Sequence, residues 1–281
     1  MSTVASLTSS LVRGAVTSPF RRAGRPGATL PADRLTRPAA PAAPGPLAAY
    51  RRICDFPATG PLPLTYPHVL AFPLAMRLMT GRGFPLPVVG LVHTWIEITA
   101  RRAVRDTEEL ALTVYAQALT PHRRGTEVTM VTEARVSGEL VWESRSGYLS
   151  RHATKAAAAP KEEAPELPAS AEWRLPGDLG RRYGAVSGDR NPIHLHPLTA
   201  RLFGFPRAIA HGMWTVARCL AEAEGRPDER AGELRTVRAD FRAPVLLPTT
   251  VTYAADPAGN AFALRSASGR VHLTGTVTRA L

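Results

Sequence analysis

Cysteine is scarce in this sequence, and long apolar runs are missing. Cys54 and Cys219 have neither the spacing of metal ligands nor the pattern of a disulfide framework. We therefore expect both to be buried as small apolar groups. A membrane-spanning helix needs roughly 18 consecutive apolar residues, and arginines and prolines interrupt the most apolar stretch, 69–92. The sequence thus predicts a soluble globular protein without a membrane span.

Lysine occurs only twice, at Lys155 and Lys161, so arginine supplies nearly all of the positive charge. With so much alanine, proline and glycine, this composition is typical of a GC-rich genome. The formal net charge of +12 would suit nucleic acid. However, no basic segment has interleaved aromatic residues, and no nucleic-acid motif is present. We expect no nucleic-acid partner; a diffuse basic surface suits a phosphate-bearing ligand or an acidic carrier protein.

Several catalytic motifs are also missing. The chain has no GxSxG, Walker A or GxGxxG pattern, which argues against hydrolase, kinase and nicotinamide-dependent functions. Asp189, His194, His196 and His211 can be imagined as metal ligands. They lack the i, i+4 pairing of an HExxH zinc site, and we expect no metal.

Residues 1–50 are expected to form a flexible or loosely packed basic arm. They hold six arginines against the single acid Asp33 and become rich in proline and alanine after residue 26. A short amphipathic helix through Val4, Leu7 and Leu11 fits this arm. An organellar transit peptide has a similar composition and is the alternative. The long apolar region of a secretory signal is missing, which favours a cytoplasmic protein.

A linker rich in proline and alanine, 152–170, separates two halves, 51–151 and 171–281. Each half has an apolar helix pattern followed by segments of strand character. The first half has a helix at 66–80 and strands at 91–99, 110–119, 127–136 and 140–150. The second has a helix at 212–224 and strands at 233–243, 249–255, 261–266 and 270–279. This order predicts an α+β fold in which a sheet wraps a helix.

The second half carries SGDRNPIH and, further along, AHGM. Pro192 disfavours helix at the residue before it, so the segment should be an extended or turning loop that brings Asp189 and His194 together. A carboxylate and an imidazole can handle a water and its proton. Gly212 begins a helix, where backbone N–H groups can hold an oxyanion.

Structural roles are the alternative for each of these residues. Asp189 follows Gly188, which is placed to end a short helix, so the aspartate can be a turn residue. Gly212 can serve close helix packing. Asn191 can orient the loop or simply form a turn before proline. Two further candidates for binding substrate or orienting the loop are Ser187 and His211.

The segment YGAVSGDRNPIHLHPLTARLFGFPRAIAHGM resembles, without gaps, the hydratase signature of the MaoC-like, (R)-specific enoyl-thioester hydratase/dehydratase family. TYPHVLAFP, HRRG and FRAPVLLP are similar to segments of two-domain actinobacterial 3-hydroxyacyl-thioester dehydratases. The resemblance implies a double hotdog: two domains in one chain, each with a central helix wrapped by an antiparallel sheet. The first half has no NPxH counterpart, so one active site per chain is expected.

The resemblance also implies the roles of the residues. Asp189 and His194 become the catalytic pair, and the N–H of Gly212 becomes the donor to the thioester carbonyl. The reaction is dehydration of a (3R)-hydroxyacyl thioester, or hydration of a trans-2-enoyl thioester, without a metal or redox cofactor. His196 departs from the family, which more often has Asp or Asn there, and should affect helix capping more than chemistry.

The expected partners are acyl-CoA or acyl carrier protein, which leaves the carrier open. Because the fused halves imitate a hotdog dimer, either a monomer or a homodimer fits. Two other functions compete with the hydro-lyase. One is a non-catalytic acyl-thioester binding or assembly subunit, which an intact catalytic pair argues against, and the other is a hotdog thioesterase.

Overall fold

The computed structural model describes residues 27–154, 166–224 and 233–280. The expected amphipathic helix near the start of the arm and the central part of the expected linker, 155–165, lie outside these residues. Among the described helices, none has the length and apolar character needed to cross a membrane.

Both halves of the described chain are built from five strands and a small set of helices. The first half contains β1 (Leu35–Ala40), α1 (Pro44–Cys54), α2 (Tyr66–Thr80), β2 (Val92–Ala100), β3 (Leu110–His122), β4 (Gly125–Val136) and β5 (Glu139–Arg151). The second contains β6 (Ala169–Leu175), α3 (Leu179–Ser187), α4 (Pro192–Leu195), α5 (Pro197–Leu202), α6 (Gly212–Glu224), β7 (Leu234–Phe241), β8 (Thr249–Ala255), β9 (Ala261–Ser266) and β10 (Val271–Arg279).

All ten described strands form one antiparallel sheet in the order β1-β3-β4-β5-β2-β7-β10-β9-β8-β6. The order within the second half mirrors that within the first, strand for strand. The halves meet where β2 pairs with β7, with Ile98 opposite Val237. The chain therefore makes within itself the sheet that two copies of a half would make together.

The central helices pack against the sheet of their own half. α2 packs against β3 and β4, whereas α6 packs against β7 and β9. The face of α6 includes Val216, Ala217 and Leu220, all fully buried. Burying a valine or leucine side chain contributes about 1.5–3 kcal/mol. The apolar residues whose pattern predicted these two helices therefore also stabilise their packing on the sheet.

Helices of the two halves also pack against each other. α1 packs against α3 and α6, and the indole Nε1 of Trp214 donates to the carbonyl of Ile53 at 2.8 Å. Cys54 and Cys219 are unpaired and fully buried, and burial raises the pKa of both thiols. The prediction that they are buried small groups is confirmed.

The structure corrects two expectations about the fold. Residues 35–50, which the sequence assigned to the loose arm, are ordered: β1 pairs with β3, and α1 buries Leu47 and Tyr50 in the core. The expected boundary at residue 50 falls inside α1. The sequence prediction also omitted β6, which pairs with β8 at the far edge of the sheet.

Candidate active site

The turn after α3 places Asp189. Gly188 adopts a left-handed conformation with φ 79°, and its N–H donates to the carbonyl of Gly184 at 3.1 Å. This conformation suits glycine, and the predicted helix end is confirmed. The Oγ of Ser187 then accepts the N–H of Asp189 at 3.2 Å, so the serine orients the backbone at the aspartate.

The segment after Asp189 is not the loop that was expected, because residues 192–195 form the short helix α4. Proline disfavours helix at the residue before it but is tolerated at the first helical position, which is where Pro192 lies. Asn191 caps the helix, and its Oδ1 accepts the N–H of Ile193 at 3.4 Å. Its own N–H donates to Oδ1 of Asp189 at 3.1 Å. Asn191 thus links the aspartate to the helix that carries His194.

His194 is buried and held by one hydrogen bond. Its Nδ1 lies 2.8 Å from the carbonyl oxygen of Ile209. A carbonyl can only accept, so Nδ1 carries the hydrogen and Nε2 is the basic nitrogen. Burial, and then the neighbouring His211, lower the pKa of His194 to about 3. The imidazole is therefore neutral at physiological pH, and its Nε2 carries a lone pair rather than a hydrogen.

His211 joins the pair from the other side. Its ring stacks on that of His194, with centroids 3.7 Å apart. Its Nε2 donates to the main-chain carbonyl of Asp189 at 2.9 Å and lies 3.8 Å from the carboxylate Oδ2. Burial lowers the pKa of His211 too. The residue thus ties the backbone of the aspartate to the ring of the other histidine.

Asp189, His194 and His211 form a compact cluster. One donor atom from each lies within 4.8 Å of the others, and two imidazoles with a carboxylate would suit a divalent metal by donor type. His196 does not join them. It caps α5, where its Nδ1 accepts the N–H of Leu198 at 3.2 Å, as the sequence predicted. That the reaction uses no metal stays a prediction.

Gly212 begins α6, where the sequence placed a helix start. A Cβ on this residue would lie 2.8 Å from Cε1 of Phe241, so glycine is required for the packing of that ring. The first N–H groups of a helix have no acceptor within it, and the helix dipole favours negative charge there. Close packing and a carbonyl site are therefore compatible.

Sequence reasoning missed two glycines that position the cluster. A Cβ on Gly180 would clash with the carbonyl oxygen of His194, and one on Gly184 would lie 2.7 Å from the carbonyl oxygen of Asp189. Spaced i, i+4, both glycines lie on one face of α3. They let the backbone of the catalytic segment press directly against the helix. Their spacing within a helical pattern was the available signal.

The first half also reaches this site, which the sequence did not predict in detail. The negative charge of Asp189 acts on the pKa of His68, in the first turn of α2, and on that of Tyr148, in β5. His93, in β2, lies between Tyr148 and Phe241, with ring centroids 4.5 and 4.7 Å away. TYPHVLAFP, which carries His68, was the one visible signal.

A cavity lies away from this cluster. It has a volume of about 220 Å³ and is lined by residues that include Arg51, Glu224 and Arg279. Glu224 ends α6, roughly 20 Å along the helix from Gly212 at 1.5 Å per residue. Burial raises the pKa of its carboxyl to about 7. The chemistry-bearing cluster and this cavity are therefore at opposite ends of one helix.

Histidines that the fold holds neutral make the free energy of unfolding depend on pH. Burial lowers the pKa of His68 to about 4, and burial together with His68 lowers that of His93 to about 3. The unfolded chain binds these protons near pH 6.5, whereas the folded protein binds them only below about pH 4. The free energy of unfolding should therefore be highest above pH 6.5. It should fall at lower pH by about 1.4 kcal/mol per pH unit for each such histidine.

Urea unfolding between pH 7.5 and 5 measures this dependence. His194 is a further histidine of this kind, with its pKa lowered to about 3. In His194→Gln, the slope of the free energy of unfolding against pH should therefore be smaller than in the unsubstituted protein by about one proton. Equal slopes for the two proteins would mean that His194 is not held neutral.

Comparisons with known proteins show the family to which the chain belongs. A family model described as "MaoC like domain" matches residues 158–275. The chain is 40% identical to the 3-hydroxyacyl-thioester dehydratase X of Mycobacterium tuberculosis over 256 residues, which is 88% of this chain and 90% of that protein. It is similar in structure to HtdX of the same organism, with a TM-score of 0.76, 35% identity and coverage of 88% of this chain and 100% of that chain.

A MaoC-like dehydratase from Phytophthora capsici shares the fold, with a TM-score of 0.73 at 16% identity over 91% of this chain and 98% of that chain. Fold and site thus define an α+β protein of the double hotdog class. The chain belongs to the MaoC-like, (R)-specific enoyl-thioester hydratase/dehydratase family, in its two-domain form.

Proposed function

We propose that this protein is a (3R)-hydroxyacyl-thioester dehydratase, equally a trans-2-enoyl-thioester hydratase, in fatty-acid metabolism. One observation carries the proposal: the Asp189 carboxylate lies beside the His194 ring, whose tautomer the carbonyl of Ile209 sets at 2.8 Å. His211, whose ring stacks on that of His194 with centroids 3.7 Å apart, directly precedes Gly212 at the start of α6. Proton handling and oxyanion binding are thereby available at one place.

In the dehydration direction, the pair removes a proton from C2 of the substrate. Negative charge then develops on the thioester oxygen, which the N–H of Gly212 stabilises at the start of α6. Losing a contact of this type costs about 3–4 kcal/mol in other enzymes. The C3–O bond breaks, the departing hydroxyl receives the proton from the pair, and water leaves. Hydration runs through the same steps in reverse.

Three neighbours support the pair without taking part in bond changes. Ser187 and Asn191 bond to the backbone and carboxylate of Asp189, and His211 holds its carbonyl. A residue that orients a catalytic group can matter greatly, since a misplacement of about 1 Å can cost about a hundredfold in rate. We assign these three residues to orientation of the loop.

The proposed chemistry also indicates the class of substrate. The thioester is carried by CoA or by the phosphopantetheine of an acyl carrier protein, to which a basic surface is suited. We propose that no metal or redox cofactor takes part and that the enzyme works in the cytoplasm. The internal β2–β7 pairing is compatible with a monomer and with a homodimer of the whole chain. We further propose that the catalytic domain begins near residue 171 and that the first domain helps to shape the acyl pocket.

The product distinguishes this function from its competitors. Purified protein, before and after treatment with a chelator, is mixed with crotonyl-CoA and with a longer trans-2-enoyl-CoA. We expect loss of the conjugated-thioester absorbance and formation of the 3-hydroxyacyl thioester without free thiol, and no effect of the chelator. Release of thiol would identify a thioesterase instead. Folded protein that turns over no CoA or carrier-protein thioester would be a binding subunit.

A further inference from the structure

The half of the chain without the catalytic motif contributes polar groups to the catalytic site. His68 and His93 come from α2 and β2, and their rings lie 6.2 Å apart and nearly parallel. Tyr148 lies directly opposite His93 across the β2–β5 pair and stacks on it. The three side chains form one aromatic and polar group, which we call the first-half wall.

The first-half wall faces both parts of the proposed site. α2, which carries His68, packs against α3, which ends just before Asp189, and the charge of Asp189 acts on the pKa of His68 and of Tyr148. At the other end, the ring of His93 is 4.7 Å from that of Phe241, and Phe241 packs against Gly212. The wall therefore runs from the carboxylate towards the start of α6.

Two nitrogens of the wall have no protein partner among the residues that the structure describes. These atoms, Nδ1 of His68 and Nε2 of His93, are shielded from solvent. A buried polar atom without a hydrogen bond costs roughly 1–3 kcal/mol, and buried polar groups in native proteins are nearly always satisfied. Both side chains are otherwise only partly buried, as expected for the lining of a pocket that a polar ligand enters.

We propose that His68 and His93 hydrogen-bond the 3-oxygen of the acyl thioester, which is the hydroxyl lost in dehydration and the water added in hydration. This inference rests on the proposed function and extends its site to the first half. In dehydration the pair delivers its proton to the 3-oxygen, and His68 lies on the helix that packs against α3, which ends just before Asp189. Burial lowers the pKa of both rings, so they act as neutral hydrogen-bonding groups that position the oxygen while the pair moves protons.

Substitutions that remove the nitrogens separate this role from a structural one. His68→Leu and His93→Phe take away an unsatisfied buried atom, and the phenyl ring keeps the stacking on Tyr148. Melting temperature should therefore rise by a few degrees, while kcat/KM for crotonyl-CoA should fall roughly tenfold for each loss of a hydrogen bond. A residue that only stabilised the fold would lower both quantities.

Variants that replace the lost nitrogen with an amide at the same position should recover the activity. The side-chain amide of asparagine overlaps the position of Nδ1 in histidine, and that of glutamine overlaps Nε2. His68→Asn and His93→Gln should thus recover most of kcat/KM. His272→Leu serves as the control: His272 is buried and its Nδ1 has the carbonyl of Ala243 as a partner at 3.4 Å, so stability should fall while kcat/KM stays unchanged.

The outcomes separate this inference from the proposed function. One result is that the wild-type protein hydrates crotonyl-CoA while the apolar wall variants stay within twofold of its kcat/KM. That result would contradict binding of the 3-oxygen by His68 and His93 and would leave the proposed function standing. Asn and Gln variants as slow as the apolar ones would contradict that binding as well. Wild-type protein inactive on every thioester would overturn the function and this inference with it.

Discussion

Replacement of Asp189 by asparagine should lower kcat for enoyl-thioester hydration by roughly 10²- to 10⁴-fold, the range typical of a positioned acid–base group. Asparagine has nearly the same shape, and its Oδ1 can still accept the N–H of Asn191 as the carboxylate does at 3.1 Å. The loop therefore keeps its conformation, and only the charge and the ability to exchange a proton are lost. Stopped-flow or steady-state absorbance measurements give kcat and KM separately.

The control for this substitution is Asp178→Asn. Asp178 precedes α3, is half-buried like Asp189, and makes no capping hydrogen bond. Its replacement should leave kcat within twofold of the unsubstituted value. If Asp189→Asn kept more than about a third of the activity, the carboxylate would have no part in proton transfer.

Replacement of Gly180 by alanine should damage both stability and activity. The added methyl group would clash with the carbonyl oxygen of His194 and lie 2.9 Å from its carbonyl carbon. Backbone atoms cannot rotate away, so α3 and α4 must separate. Overpacking of this kind costs about 1–3 kcal/mol, and a shift of the imidazole by about 1 Å can cost a hundredfold in kcat/KM. Urea unfolding and the hydration assay measure the two effects.

Gly177→Ala is the matched control, because its Cβ would lie 3.7 Å from Cδ of Pro248, an ordinary contact. Stability and rate should both stay close to those of the unsubstituted protein. A Gly180→Ala protein with normal stability and normal kcat/KM would show that the close packing of α3 on α4 does not position His194.

Regular elements with a strong apolar period were predictable. The helices 66–80 and 212–224 were placed at their observed ends, because each is apolar, begins or ends at a recognisable signal and packs on its own sheet. By contrast, β1 contains Pro38, and α1 begins with Pro44 and Gly45, signals that usually mark loops. Pairing with β3 and burial of apolar side chains outweigh those local signals. Neither contact can be read from a short stretch of the sequence.

The residues of the candidate site also differ in whether the sequence alone could reveal them. Asp189, His194 and Gly212 could be singled out because they lie close together in one segment with recognisable chemistry. His68 and His93 lie about a hundred residues away and reach the site only through the β2–β7 pairing and the packing of α2. Their role depends on tertiary contacts between the halves, so residue spacing could not reveal it.

In the proposed mechanism Asp189 and His194 act as one unit on one water. Asp189→Asn, His194→Gln and the double variant can be compared in hydration of crotonyl-CoA. Groups that act together show losses that are not additive. We predict that each single variant loses nearly all of kcat and that the double variant is no slower than the slower single one. Full activity in either single variant, or a double-variant loss equal to the product of the two single losses, would contradict the account.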